Sequence, residues 1–267
     1  MVRKALLCAL LLAGCLNTTP PPPAPDSLDG NMRWWYAHVG TATDAELEDA
    51  IDKLATAARS DSRTMALKSQ MARLDPQDLT EVGLDTTADP SAARGFLMLN
   101  PYACTLERLA EILVAADQPT QYPGVYDFYD RQYQTDLEAW KAGAEKTISW
   151  EVSMKCSLPI DDQYDALIKG SLRRIPGAAP GGGDVLAYRS ALPAPATFRG
   201  NSTSYFRQDY QLEIYWEQEP GKIFHSYGMW REMKVGGFNL TTEDNGMFNI
   251  LIDNLQKWDV RTEELCR

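Results

Sequence analysis

The chain of 267 residues is 44% apolar, 24% charged and 10% aromatic, a globular composition with length for one large or two small domains, which excludes a disulfide-stapled miniature and a disordered polymer. No stretch reaches the roughly 18 apolar residues of a spanning helix, so multi-span membrane folds are excluded as well. The 26 Lys and Arg against 37 Asp and Glu give a net charge of -11, which repels polyphosphate and sets nucleic acid aside as a partner.

At the amino end, Arg3 and Lys4 precede an apolar run from Ala5 to Gly14, too short to span a bilayer and laid out as a secretory signal. Its last residues, Leu12-Ala13-Gly14-Cys15, resemble the lipobox of bacterial lipoproteins. The resemblance implies cleavage before Cys15 and a diacylglycerol thioether on its sulfur, with Ala13 and Gly14 as the small residues that fit the peptidase. Residues 1–14 then form the signal peptide. Loss of Arg3 and Lys4 leaves an acidic chain of 24 cations against 37 carboxylates, or -13, so attachment to the membrane is expected from acyl chains rather than from a basic face. Leu16 after the cysteine, rather than aspartate, favours the outer membrane by resemblance to enterobacterial sorting. Residues 15–27 follow as the lipidated cysteine and a tether: Pro20 to Pro23 and Pro25 favour polyproline II, a spacer of at most roughly 37 Å.

Residues 28–94 read as a helical section. Trp34, Trp35 and Tyr36, directly after the tether, are candidate contacts to other envelope proteins. Thr43-Asp44-Ala45-Glu46 matches a capping box, and Leu47, Ala50, Ile51, Leu54 and Ala57 then recur at helical spacing to about Arg59. Leu67, Met71 and Leu74 predict a second helix ended by Asp75-Pro76.

From residue 95 to 267 the pattern changes to mixed α and β. Gly95 to Pro101 reads as a strand, and Leu106, Leu109, Ile112, Leu113 and Ala116 as a helix. Val125, Phe128, Tyr129, Leu137 and Trp140 form an aromatic stripe expected on a further helix. Ile148, Trp150, Val152, Met154, Cys156 and Leu158 then alternate with polar residues, the period of a half-buried antiparallel strand. Ala166 to Ile175 leaves strand or helix open. The glycine-rich loop Pro176 to Gly183 lacks the lysine of a phosphate cradle. A strand is expected at Val185 to Leu192. A hairpin follows, with Phe206, Gln208, Tyr210, Leu212, Ile214 and Trp216 on one face, a turn at Glu219 to Lys222 and a return strand to Val235. Arg189, Arg207 and Arg231 fall on the polar phase and are expected in solvent, as are Glu213, Glu217 and Glu219. Met247, Phe248, Leu251, Leu255 and Trp258 mark a C-terminal helix behind Thr242-Glu243-Asp244.

This order of a strand, helices, antiparallel strands and a long last helix resembles the helix-grip fold of the START and polyketide-cyclase-like superfamily. The resemblance implies a curved antiparallel sheet wrapped on the C-terminal helix around an apolar cavity, holding a lipid or other apolar small molecule. The overall class expected is α+β. Trp150, Val152, Met154, Tyr210, Leu212, Ile214 and Trp216 are the candidate cavity residues.

Of five cysteines, Cys8 leaves with the signal and Cys15 takes lipid, so Cys104, Cys156 and Cys266 allow one bridge in any of three pairings, or a buried free Cys156. His38 and His225 stand alone, without metal-ligand spacing, and no nucleophile motif surrounds Ser226. No catalytic residue, metal or cofactor is expected. The sequence reads as a non-enzymatic lipoprotein of the bacterial envelope that binds an apolar ligand, or alternatively as a scaffold subunit of an envelope complex.

Overall fold

The computed structural model describes residues 20–61, 68–80, 82, 84, 88–158, 162–200 and 203–267; the lipobox, Cys8, Cys15, Leu67 and Asp161 lie outside them. Three layers make up the fold. One is a sheet of ten strands, every pairing antiparallel, and helices cover both of its faces.

The first layer is α1 (Leu28–His38) and α2 (Asp44–Ser60). Ser27 caps α1, and the capping box at Thr43 and Glu46 is formed as expected. The apolar face of α2 and nearly all of α1, including Trp34, Trp35 and Tyr36, is buried. The proline segment is laid along these helices: Trp34 Nε1 donates to Pro22 O at 2.6 Å, Asn31 Nδ2 to Pro25 O at 3.0 Å and Lys53 Nζ to Ala24 O at 3.1 Å. From Pro22 onward this segment is therefore seated on the fold.

The sheet runs β1 (Lys68–Met71), β2 (Arg94–Ala103), β9 (Lys222–Val235), β8 (Tyr205–Glu219), β6 (Val185–Ala191), β5 (Asp162–Ile175), β4 (Thr147–Leu158), β3 (Phe128–Tyr133). Two short strands sit off this path, β7 (Thr197–Arg199) on β5 and β10 (Leu240–Thr241) on β9. Both edges differ from expectation. The segment around Met71, read as a helix, is the edge strand β1 and ties residues 28–94 into the same sheet as the rest. The aromatic stripe from Phe128 is the other edge strand β3, followed by the short helix α6 (Leu137–Lys141). Burial along β3 does alternate, but the half-buried positions are Tyr129, Arg131 and Tyr133 while Phe128 is exposed, so apolar residues do not mark the period of two in the sequence.

The third layer is α4 (Leu106–Val114) and α7 (Asn245–Cys266), which runs well past Trp258. Between α4 and β3 lies the single turn α5 (Gln118–Gln121), and α3 (Pro76–Thr80) follows β1. A disulfide joins Cys104 at the end of β2 to Cys266 at the end of α7, and Cys156 is a buried free thiol. The other end of α7 is held by Arg94, whose Nη1 donates to Thr242 O at 3.0 Å and Glu243 O at 2.8 Å. Among the described residues no helix is long and apolar enough to cross a membrane.

Two cores result. One lies between α1, α2 and the back of the sheet, with Trp35, Tyr36, Leu212, Ile214 and Trp230. The other lies on the front, under α4 and α7.

Candidate functional site: a cavity under the last helix

The front core is not filled. Between α7, the residue 122–126 loop and the front of β3 to β9 lies a cavity of about 720 Å³, within the size range of small-molecule sites. Trp150, Val152 and Met154 of β4 line it, as the alternation of that strand predicts. Trp150 stacks on Tyr188 with ring centroids 5.9 Å apart. The register opposes Trp150 to Gly170 on β5, where a Cβ would fall 2.5 Å from Trp150 Nε1; glycine there is what lets the indole lie over the strand.

The other four candidates are elsewhere. Tyr210, Leu212, Ile214 and Trp216 point to the back of the sheet and pack under α1 and α2. On β8 it is Asp209, Gln211, Glu213 and Tyr215 that face the cavity. The alternation of β8 is real, but a strand covered on both sides has two buried faces, and the more apolar one belongs to the filled core. A register shift between Phe206 and Gln208 adds to this: Phe206 lines the cavity, whereas Gln208 and Tyr210 lie on the opposite face.

Trp34 and Trp35 are 5% and 0% exposed. As core residues under the sheet they present nothing to a partner, which corrects their reading as contact residues. Arg189 is also not in solvent. Its Nη1 donates to Tyr36 O at 3.0 Å, near the carbonyl end of α1. Arg207 is exposed, beside Glu232.

The polar cavity wall carries a cluster that sequence reading missed. His225 of β9 is flanked by two carboxylates, with Nδ1 3.1 Å from Asp259 Oδ1 of α7 and Nε2 3.2 Å from Glu213 Oε2, the latter without hydrogen-bond alignment. Their side chains are 2%, 8% and 15% exposed. Burial opposes protonation of the imidazole, yet Asp259 and Glu213 outweigh it and raise the pKa to about 9, so the ring is a cation at neutral pH. Asn100 Nδ2 donates to Asp259 Oδ2 at 3.0 Å, the Tyr215 hydroxyl donates to Glu213, and the Tyr215 ring stacks on the imidazole at 4.2 Å. A second ion pair lies beside it: Arg231 Nε donates to Asp209 Oδ1 at 2.8 Å, and Gln211 Nε2 donates to Oδ2. Arg231, expected in solvent, is held charged by Asp209 against the effect of burial. Burial likewise raises the Cys156 thiol and pushes Tyr122 up to about 12. Ser226 points the other way, its hydroxyl 3.2 Å from Met32 Sδ, so it forms no pair with His225.

Among the described residues no three His, Cys, Asp or Glu side chains could hold a metal ion. What the cavity offers is an aromatic body with fixed polar groups on one wall.

No protein-family model matches the chain, and no curated protein does. Among solved structures it is similar to human StAR-related lipid transfer protein 5, with 8% identity over 84% of this chain and 96% of that one and a TM-score of 0.44. It is also similar to a START superfamily protein from Mycobacterium smegmatis, with 8% identity, 64% of this chain and 96% of that one covered, and a TM-score of 0.41. A lipid transfer and protein localization domain of human StarD13 aligns over 68% of this chain and 81% of its own length at 7% identity, with a TM-score of 0.41.

Proposed function

We propose that this chain is a lipid-anchored protein of the bacterial envelope, attached through Cys15 in the outer membrane, that holds one apolar or lipid-like molecule in the cavity beneath α7. The observation that carries the binding half is the cavity itself: about 720 Å³ left open in an otherwise packed α+β fold, walled by Trp150, Tyr188, Met229 and Trp258. Protein interiors are close-packed, and dispersion contacts forgone around a space this large are recovered when an apolar guest fills it. The Leu-Ala-Gly-Cys sequence and the acidic charge support the anchoring half. Association with other envelope proteins through Trp34 and Trp35 loses its motive, since both are core residues.

The test is a titration of the purified chain with N-phenyl-1-naphthylamine, a neutral apolar fluorophore. Saturable one-to-one binding, displaced by lipid extracted from envelopes, is the expected result. Fluorescence that rises without saturation, or that lipid does not displace, would overturn the reading.

A further inference from the structure

The charges around the cavity do not balance, and the imbalance singles out Arg131. Three carboxylates line the space: Asp209, Glu213 and Asp259. Each is already engaged: Asp209 accepts from Arg231 and Gln211, Asp259 from His225 and Asn100, and Glu213 accepts from Tyr215 with the charged His225 ring 3.2 Å away. Of the cationic residues lining the cavity, His225 and Arg231 are the partners just named, Arg261 pairs with Glu264 at 2.9 Å, and Lys257 is exposed. Arg131 is half-buried and has no carboxylate partner among the described residues.

Its position is nevertheless fixed. On β3 it stands opposite Val152. Nε donates to the Tyr129 hydroxyl at 2.9 Å and Nη1 to Leu113 O at 2.7 Å, while the guanidinium lies 4.5 Å from the centroid of the Trp150 ring. Nη2 has no hydrogen-bond partner among the described residues. Nη2 is thus an open donor on a guanidinium already held in place against an aromatic face, and the planar donors of a guanidinium match a carboxylate. An incoming cation, by contrast, would find every cavity carboxylate already engaged.

Resting on the cavity reading above, we infer that the ligand is an anionic amphiphile, an apolar body ending in a carboxylate that Arg131 binds, with the body lying over Trp150 into the aromatic space. The polar wall adds direction: its three carboxylates outnumber the two cations His225 and Arg231 that they hold, so it offers an anionic head no free cation and leaves Arg131 as its seat.

Myristate and tetradecanol share a chain and differ in the head, so they separate this inference from the cavity reading. Binding of both to the full chain is measured by displacement of N-phenyl-1-naphthylamine at about pH 8, where the carboxylic acid is ionised. The wild-type chain is expected to prefer myristate. Arg131→Gln should weaken myristate by roughly ten- to hundredfold while leaving tetradecanol within about threefold, which also certifies that the cavity is intact. Arg131→Lys should keep a preference for myristate. Equal affinity of the wild type for the two compounds, or parallel loss of both in Arg131→Gln, would overturn the role of Arg131 while the apolar cavity stood. Binding of neither compound to the wild type would overturn the cavity reading with it.

Discussion

His225 and Asp259 meet across two layers of the fold: the imidazole of β9 donates from Nδ1 to a carboxylate of α7 at 3.1 Å, tying the last helix to the centre of the sheet. Burial opposes the charge, but Asp259, and after it Glu213 at the other ring nitrogen, raise the pKa of His225 from an ordinary 6.5 to about 9. A folded-state value above the unfolded one means that the stabilisation is complete below about pH 6.5 and is lost as pH climbs through about 9. Its size is of the order of 3 kcal/mol. Replacing His225 by Gln should therefore cost most near pH 6, and the difference in unfolding free energy between the two proteins should shrink toward pH 10, as read by denaturant melts along that series. A difference that stays constant or grows with pH would contradict the assignment of charge to this ring.

The disulfide between Cys104 and Cys266 spans 162 residues of sequence. Constraint of so long a loop in the unfolded chain is worth roughly 2–5 kcal/mol. Cys266→Ser, or mild reduction of the wild type, should lower the thermal midpoint by several degrees. Cys156→Ser should not reproduce that loss, because the Cys156 thiol is free.

Gly170→Ala is expected to act on the cavity through Trp150. A methyl group 2.5 Å from the indole nitrogen forces the ring off β5 and toward the open space. The stability cost should be about 1–3 kcal/mol, and affinity for N-phenyl-1-naphthylamine should fall severalfold. Unchanged affinity together with unchanged tryptophan fluorescence would show that the ring does not bound the site.

Anchoring is tested at Cys15. In cells, Cys15→Ser should move the protein from the membrane fraction to the soluble one and abolish incorporation of a labelled fatty acid. Retention of the variant on membranes would sink the acyl-anchor proposal.

Much of the architecture was legible because central strands and capped helices write clear periods. The capping box at Thr43, the alternation from Ile148 to Leu158 and the hairpin around Glu219 to Lys222 all appear where their residues placed them. Edge strands were not legible, since β1 is only four residues long and in β3 an arginine holds an inward position while Phe128 is exposed, so apolarity does not follow the alternating burial. The candidate site was half legible. Trp150, Val152 and Met154 line the cavity, but the alternation of β8 says only which face is apolar, not which face meets the filled core. That ambiguity sent Tyr210, Leu212, Ile214 and Trp216 to the wrong side and hid Glu213. Two signals could have recovered the polar cluster. Counting back from the hairpin turn sets His225 opposite Tyr215, one step from Glu213. On the last helix, Asp259 continues the stripe of Phe248, Ile252 and Leu255 at spacings of three and four, a carboxylate where an apolar residue is expected.

The function proposed for this chain requires that the cavity be occupied. The most direct measurement is native mass spectrometry of the full chain, extracted from envelopes in mild detergent and sprayed with its bound molecules retained. The expected result is a stoichiometric, solvent-extractable adduct with an apolar body and an acidic head, beyond the mass of the protein and its acyl chains. A chain that flies bare under conditions that preserve non-covalent complexes, and that takes up no added myristate or tetradecanol, would contradict it.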